Sequence, residues 1–350
     1  MTDYQQVSRP FVPPYLLERI ASEGSPRLRE CAQHTLLADQ RFRPRTAAPH
    51  SPQRSSQRGV PARFVHSARQ QQELPGQLVR REGDEADSGD AAIDEAYHGL
   101  GATYRYFWEI HGRHSIDDQG MALLATVHFG RDYENAFWDG TQMVFGDGDG
   151  ELFNRFTIAL DIIAHELTHG VIQHEADLAY ANQSGALNES LSDVFGSLVK
   201  QYRLGQRVDE ADWLIGEGLF TERVEGRALR SMADPGSAYD DPLLGGDPQP
   251  GHMRDFVETQ DDNGGVHINS GIPNRAFQRL AMALGGHAWD VAGPLWYATL
   301  LDERLAPDSD FMAFAALTLD NAAQRHGQGG HEWLAVRDAW RDVGVAVADR

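Results

Sequence analysis

The sequence is poor in cysteine and in lysine. Cys31 is the single cysteine among 350 residues, so no intramolecular disulfide can form and no redox compartment is indicated. A lone cysteine is also a weak candidate for a nucleophile, because most such residues are small buried hydrophobes. The 31 basic residues include a single lysine, Lys200. Disulfide-stabilised folds are therefore excluded, and nearly every positive charge is a guanidinium.

Long apolar runs and a secretory leader are missing as well. No stretch approaches the roughly eighteen consecutive apolar residues of a membrane span, and the N-terminus lacks a basic stretch followed by an apolar one. We therefore expect no membrane partner and no signal peptide, with the protein either cytoplasmic or exported by a route that needs no signal peptide. The net charge of −21 argues against nucleic acid as a partner.

The charge is distributed unevenly along the chain. Residues 1–58 hold nine arginines and five acids, whereas the remainder holds 22 basic and 47 acidic residues. Residues 41–59 are rich in Arg, Pro and Ser, which predicts an exposed, cleavable linker. Before it, Pro13-Pro14 opens a short helical pattern. We predict that residues 1–58 are a pro-segment and linker that docks on the acidic body. A disordered tail stays the alternative, although apolar residues such as Leu16 need a packing partner.

The next part of the chain has β-type patterns around one helix. Residues 60–88 contain short strand-like pieces, and the spacing of apolar residues predicts an amphipathic helix over about 90–112. Residues 121–129 predict a strand, and Asp139-Gly140 predicts a β-hairpin turn. The glycine- and aspartate-rich run 146–150 lacks EF-hand ligand spacing and is interpreted as a turn.

Beyond residue 155 the pattern becomes helical. The periodicity predicts six helices, at about 157–174, 184–204, 270–284, 288–303, 309–326 and 331–342. The fold class is thus α+β, with a β-rich N-terminal lobe over 59–174 and a mainly α-helical C-terminal lobe over 175–350.

One short stretch carries the chemistry. His165, Glu166 and His169 form H-E-x-x-H, and residues four apart lie on the same face of a helix. The two imidazoles can therefore bind one metal ion with a carboxylate beside it, as in zinc proteases. Five residues with three fixed positions also arise by chance, so the motif needs support from elsewhere in the chain.

That support follows twenty residues after His169, at Glu189. A catalytic zinc needs a third protein ligand and an open position for water. The carboxylate of Glu189, returning on an antiparallel helix, would complete a His₂Glu site. Asn188 and Asp193 lie on the same segment and could accept the free ring N–H groups of the ligating histidines.

The chain resembles the thermolysin family of zinc endopeptidases from about Arg63 onward. Separate motifs in the same order make the resemblance specific: Asn135-Ala136-Phe137-Trp138, His165-Glu166-Leu167-Thr168-His169, residues 184–189, residues 229–232 and residues 263–271. The short head is similar to the pro-segments of the protealysin-like branch. The resemblance implies a two-lobe fold with the active-site helix between the lobes.

The resemblance also implies a role for each matched residue. Zinc would be held by His165, His169 and Glu189. Glu166 would be the general base, and Tyr180 and His267 would stabilise the oxyanion. Asp262 would orient His267, Asn188 and Asp193 would support the ligands, and Asn135, Ala136 and Arg230 would bind the substrate backbone. A pocket for an apolar side chain after the scissile bond, each residue of which could equally be plain core, would comprise Phe153, Phe156, Ile162, Ile215 and Leu229.

The chain departs from the family pattern at the positions of the expected calcium ligands. A paired calcium site would use Asp161, Asp212 and Glu217, but Lys200 stands where a further carboxylate is expected. We hypothesise that its ammonium replaces one calcium by pairing with one of those acids; a solvated lysine is the alternative. Arg227 stands where another site would need an aspartate. We expect one or two calcium ions at most, and a weaker calcium dependence than is usual in the family.

The predicted function is a zinc endopeptidase made as a zymogen, acting on peptides or proteins as a monomer. Its own pro-segment would be an intramolecular inhibitor, with Cys31 or the basic stretch around it blocking the acidic cleft until self-cleavage. Two alternatives remain: an idle homologue that acts as a binding protein, and a zinc amidase for cell-wall peptides.

Overall fold

The computed structural model describes residues 9–41 and 54–347. Most of the predicted linker, residues 42–53, lies outside the described residues. The chain divides into two compact units. The first comprises Met1–Val171, Gly216–Leu229 and Tyr239–Gly245; the second comprises Ile172–Ile215, Arg230–Ala238 and Gly246–Arg350. The lobe limits predicted from the sequence stay predictions.

The pro-segment contributes one short strand and two helices to the first unit. Strand β1 spans Arg9–Pro10, helix α1 spans Pro14–Glu23, and helix α2 spans Pro26–Arg41. Helix α1 begins with Pro in its first turn and buries the apolar face that includes Leu16. The sequence pattern indicated only one of these helices. Helix α2 is rich in polar residues, and its narrow buried face is a weak periodic signal.

A six-stranded mixed sheet forms the centre of the first unit, in the order β1-β5-β6-β4-β2-β3. The strands after β1 are β2 Arg63–Ser67, β3 Gln77–Arg81, β4 Leu123–Val127, β5 Ala136–Trp138 and β6 Met143–Phe145. Strands β5 and β6 are antiparallel, which confirms the predicted hairpin. Strand β1 pairs with the free edge of β5.

Two helices complete the first unit. Helix α3, Ala91–His111, starts at Asp90, whose side chain accepts N–H groups of the first turn, and ends at Gly112 in the left-handed region. Helix α4 spans Leu160–Glu175, and the division between the units falls within it. A Cβ at Gly170 would lie 3.0 Å from the Trp138 ring, so the absence of a side chain lets α4 approach the sheet closely.

The second unit is mainly helical. Its helices are α5 Asn182–Leu204, α6 Asp262–Asn269, α7 Gly271–Leu284, α8 Ala292–Leu300, α9 Phe311–His326 and α10 His331–Asp342. Strand β9 Asp240–Asp241 belongs to the first unit, and the division between the units falls within β10 Gly245–Gly246. The second unit contains the short strands β7 Leu214–Ile215 and β8 Arg230–Ser231. The indoles of Trp296 and Trp340 stack in its core with centroids 5.7 Å apart. A sheet-based unit and a helical unit confirm the predicted α+β class.

Helix α6 was not predicted, and α8 is shorter than predicted. Asp262, Asn263, Gly264 and Gly265 have positive φ values inside the span of α6, so its sequence resembles a turn more than a helix. Among the described helices, none is long and apolar enough to cross a membrane.

Candidate metal centre and active site

Helix α4 presents the H-E-x-x-H side chains inside the protein. His165, Glu166 and His169 are fully buried. The two imidazole rings lie 4.7 Å apart and perpendicular to each other, as expected for positions one helical turn apart. The buried polar groups of this helix are costly unless they are paired or bind a ligand.

The chemistry of the donor set fits zinc. One ligand atom from each of His165, His169 and Glu189 lies within 4.8 Å of the others, and all three residues are buried. Two imidazole nitrogens and one carboxylate oxygen are the protein ligands of many catalytic zinc sites, where the fourth position is left for water or substrate. The predicted zinc ligands are therefore brought together as a group that can hold a metal ion.

In the second unit, Tyr180 and His267 lie beside Glu189. The Tyr180 hydroxyl donates to Glu189 Oε1 and lies 3.3 Å from His267 Nε2. His267 Nε2 is 3.5 Å from Glu189 Oε2. Both groups predicted to stabilise the oxyanion are thus adjacent to the third predicted ligand.

Asp262 holds the His267 ring in place. Its Oδ1 lies 2.6 Å from His267 Nδ1, and its Oδ2 accepts the His267 backbone N–H at 2.8 Å. Burial lowers the pKa of His267, but the carboxylates of Asp262 and Glu189 outweigh this effect, so the pKa is raised above its ordinary value. With Nδ1 facing a carboxylate, the ring presents Nε2 toward Tyr180 and Glu189.

The turn that begins α6 makes this arrangement possible. A Cβ at Gly264, where φ is +88°, would lie 2.4 Å from Asn182 Oδ1, so glycine is needed both for the backbone conformation and for the close approach. At the other end of α6, buried Gln249 donates its amide to the His267 carbonyl at 2.7 Å and to Ser270 Oγ at 3.0 Å. Gln249 carries no sequence motif and was not predicted.

Arg230 and Asp193 form a buried ion pair. The Arg230 guanidinium donates to both Asp193 oxygens at 2.8 Å, and Asn274 Nδ2 donates to Asp193 Oδ2 at 2.9 Å. Asn274 was not predicted, because its partner lies 81 residues away in the chain. Asn188 Nδ2 donates to the Leu178 carbonyl at 3.2 Å. The catalytic roles predicted for Arg230, Asp193 and Asn188 stay predictions.

The pro-segment lies along the predicted substrate-binding strand. The Phe11 backbone N–H donates to the Ala136 carbonyl at 2.9 Å. The Val12 N–H donates to Asn135 Oδ1 at 2.8 Å, and Asn135 Nδ2 lies 3.3 Å from the Val12 carbonyl. The segment therefore uses the hydrogen-bonding groups that were assigned to a substrate backbone.

Phe11, and not Cys31, lies next to the metal-binding helix. Its ring meets the His165 imidazole edge-on with centroids 5.1 Å apart. Cys31 is buried on α2, where burial and the nearby Glu134 raise the pKa of its thiol to about 11. The register of β1 on β5 places residues 9–12 at this position, which the charge pattern alone did not indicate.

The five predicted pocket residues are all buried. The rings of Phe153 and Phe156 are 6.0 Å apart. A Cβ at Gly216 would lie 3.5 Å from both Leu229 Cβ and the Phe11 ring, so the phenyl group of the pro-segment approaches this set of residues. Burial agrees with a side-chain pocket and equally with plain core packing.

The predicted calcium ligands have protein partners. Asp161 Oδ1 accepts the Gly216 N–H at 3.2 Å, and Asp212 Oδ1 accepts the Leu214 N–H at 2.9 Å. Lys200 Nζ lies 2.8 Å from Asp212 Oδ2, one of the three carboxylates considered for it. Glu217 is exposed.

Two buried histidines of an H-E-x-x-H helix, grouped with Glu189 of α5 as possible metal ligands, are typical of zinc metallopeptidases. Comparison with known proteins gives the family. Residues 53–173 match the thermolysin metallopeptidase catalytic domain, and residues 176–345 match its alpha-helical domain. Residues 9–37 match the protealysin propeptide. The chain belongs to the thermolysin family of metallopeptidases.

Two individual relatives match nearly the whole chain, and a third matches most of it. An extracellular metalloprotease of Pectobacterium carotovorum subsp. carotovorum is 54% identical over 97% of this chain and 98% of its own length. Protease PrtS of a Photorhabdus strain is 54% identical over 82% of this chain and 77% of its own. The precursor of protealysin from Serratia proteamaculans is 53% identical, with a TM-score of 0.89 over 97% of this chain and 100% of that one. The protein is thus a metalloprotease that carries a propeptide, and the predicted thermolysin-like fold is confirmed.

Proposed function

We propose that this zymogen is a zinc endopeptidase in which Glu166 is the general base and the pro-segment occupies the substrate-binding strand. The observation that carries the proposal is the pairing of Phe11 and Val12 with Ala136 and Asn135 beside His165. A peptide bound in the same way would pass directly along the metal-binding helix.

The residues have complementary tasks in peptide hydrolysis. Zinc held by His165, His169 and Glu189 would supply a Lewis acid that lowers the pKa of a bound water to near neutral. Glu166 would take the proton from the attacking water and pass it to the leaving amine. Tyr180 and His267 would donate hydrogen bonds to the oxygen on which negative charge develops.

The substrate would bind as an added strand on β5, with its backbone held by Asn135 and Ala136. Arg230, fixed by Asp193, would hold the carbonyl on the leaving-group side. The side chain after the scissile bond would enter the pocket approached by Phe11. All of the assigned pocket residues are apolar, so cleavage before bulky apolar residues such as Leu, Phe, Ile or Val is proposed.

The proposal also covers calcium, assembly and location. One or two calcium ions would bind near Asp161, Asp212 and Glu217, with Lys200 in place of one ion. The protein would act as a monomer. The name of the Pectobacterium relative supports action outside the cell; retention in the cytoplasm is the alternative.

The test compares Glu166→Gln with Glu175→Gln, an exposed carboxylate on the same helix. Both would be incubated with casein and a peptide library, with and without a zinc chelator. The first change should reduce cleavage by about 10²- to 10⁴-fold, and the second should leave it unchanged. Chelator-insensitive cleavage, or none in the native chain, would reject the proposal. Cleavage of cell-wall peptides alone would favour the amidase.

Self-processing is a separate part of the proposal. N-terminal sequencing of the purified native chain should find a new N-terminus within residues 41–60, where the linker was predicted. The Glu166→Ala chain should remain uncut. An identical cut in that variant would show that another protease removes the pro-segment.

A further inference from the structure

One face of α2 covers the chain that leads into β5. Arg27, Cys31 and Thr35 are spaced by four residues and therefore lie on the same side of the helix. Thr35 Oγ1 accepts the backbone N–H of Glu134 at 3.0 Å. Arg27 contacts Glu151 and the Asp149 carbonyl at the start of the helix. The pro-segment is thus fitted against Glu134 and its surroundings as well as against Asn135.

Glu134 is a buried acid whose carboxylate accepts no hydrogen bond from the described part of the chain. The residue is completely buried, and neither of its carboxylate oxygens has a hydrogen-bond partner within residues 9–41 and 54–347. A negative charge in such a place is strongly disfavoured. The charged and titratable groups that act on it are Asp132, Asp149, Arg27 and Cys31. Burial first, and then Asp149 and Asp132, raise the pKa of Glu134 to about 9, although the positive charge of Arg27 opposes the shift.

A second carboxyl belongs to α2 itself. Asp39 accepts hydrogen bonds from the Tyr133 hydroxyl and, at 3.0 Å, from Asn135 Nδ2. Burial raises the pKa of Asp39 to about 7 although both hydrogen bonds oppose the shift. The only ionisable group that contacts it within the described chain is Tyr133, which is acted on in turn by Glu166. No cation among the described hydrogen bonds and ion pairs neutralises Asp39.

We infer that docking of the pro-segment takes up protons at Glu134 and Asp39, so that autoinhibition is tight in acid and loosens as the pH rises. Glu134 belongs to the matched catalytic domain and Asp39 to the pro-segment, and α2 covers Glu134 while holding the half-buried Asp39 against Tyr133 and Asn135. The two carboxyls therefore form a proton-dependent latch across one interface. Inhibition by the propeptide is the proposed function; the latch adds the condition that releases the propeptide, which is a rise in pH.

The direction of the pH dependence follows from a comparison of the docked and undocked states of the pro-segment. When α2 leaves, water reaches both carboxyls and their pKa values return toward the ordinary 4.5 and 3.8. The docked state then holds up to two more protons between about pH 4.5 and 7, and up to one more between about pH 7 and 9. Each extra proton weakens docking by up to about tenfold per pH unit.

Hydrogen exchange in the full-length chain tests the latch. Glu166→Ala would keep the chain unprocessed. The measured quantity is the protection from exchange of three backbone amides, those of Phe11, Val12 and Glu134. Each of them donates a hydrogen bond across the interface between the pro-segment and the rest of the chain. Protection, corrected for the intrinsic pH dependence of exchange, should fall with pH in these amides, whereas amides of β4 should show no such fall.

Replacing each carboxyl by its neutral amide tests whether that group takes up a proton on docking. Glu134→Gln and Asp39→Asn should each make the fall shallower, and together they should abolish most of it. Glu30→Gln, an exposed carboxyl on the same helix, is the matched control and should change nothing. Two results would overturn the inference. One is protection that does not depend on pH; the other is a slope of protection against pH that is unchanged in both the Glu134→Gln and the Asp39→Asn variants. If Glu134→Gln does not fold, Asp39→Asn decides alone. Because the readout is not activity, failure of the proposed peptidase mechanism would be seen separately.

Discussion

The phenyl ring of Phe11 meets the imidazole of His165 edge-on, with ring centroids 5.1 Å apart. His165 is one of the three residues grouped to hold a metal ion. Arg9, two residues earlier, donates to the His169 carbonyl at 3.4 Å. The pro-segment therefore contacts both histidines of the motif directly, by a ring contact and by a hydrogen bond from the Arg9 guanidinium to the His169 carbonyl.

Phe11→Ala should weaken autoinhibition. Phe11 is fully buried, and removal of a buried phenyl group costs about 3–5 kcal/mol in a packed site. We expect the unprocessed chain to cleave a small peptide substrate faster than the native precursor does, and to be processed sooner. Leu37→Ala is the control, since Leu37 is an apolar residue of the pro-segment that is 49% exposed. Equal activity of the Phe11 variant and the native precursor would show that inhibition depends on other contacts.

Asp262→Asn should lower kcat more than it changes KM. The carboxylate faces His267 Nδ1 at 2.6 Å and leaves Nε2 directed toward Tyr180. An amide can present its NH₂ group instead, which favours the wrong ring tautomer and a weaker donor to the developing oxyanion. We expect a loss in kcat of about 10- to 100-fold. The neighbouring exposed Asp261, changed to Asn, should have little effect, and a loss confined to KM would contradict the role given to His267.

Lys200→Glu should make stability depend more strongly on calcium. The change removes the 2.8 Å ion pair with Asp212 and places a second carboxylate beside it. Without calcium, repulsion between these like charges should lower the Tm; with calcium, one additional ion should bind and restore it. Arg203→Glu, at an exposed position of the same helix, is the matched control. Unchanged calcium stoichiometry would refute the replacement of an ion by Lys200.

His128 should make the first unit more stable in acid. The hydrogen bond that the His128 ring donates to the Asp147 carboxylate raises the pKa of His128, burial opposes this, and the Asp90 carboxylate adds to it. Since the pKa in the folded state is above the ordinary 6.5, the stabilisation is fully present below that pH and is lost as the pH rises through the folded value. His128→Asn, which tolerates the positive φ of 54° at this position, should remove about 1 kcal/mol at pH 5 and less at pH 9.

Urea unfolding at both pH values measures this difference. His98→Asn, which removes an exposed histidine that pairs with Asp87, provides the control for loss of a surface ion pair. A difference between the His128 variant and the native chain that is the same at both pH values would contradict the linkage.

Much of the site could be predicted because its signals are local. His165 and His169 are one helical turn apart, and Glu189 follows within the next helix, so the three predicted ligands lie within one short stretch of sequence. The β5–β6 hairpin was marked by its turn residues. Helix α6 was missed because four of its residues have positive φ, and α2 was missed because its buried face is narrow.

Residues that act on others from a distance could not be predicted. Gln249 supports His267 from 18 residues away, and Asn274 contacts Asp193 across 81 residues. A buried amide with one distant partner has no periodicity and no motif. The segregation of basic residues into the head indicated docking, but it pointed to Cys31 and the arginines, whereas the contact beside His165 is made by an apolar ring.

By itself, the sequence determined the H-E-x-x-H helix, its grouping with Glu189 as an expected third ligand, the α+β class and the presence of a pro-segment, because each of these depends on spacing within a short stretch or on composition. The tertiary structure decided which pro-segment residues lie along β5, which carboxylate pairs with Lys200, and that Glu134 is buried beneath α2. These depend on strand register and on long-range packing, where a shift of one residue exchanges buried and exposed side chains.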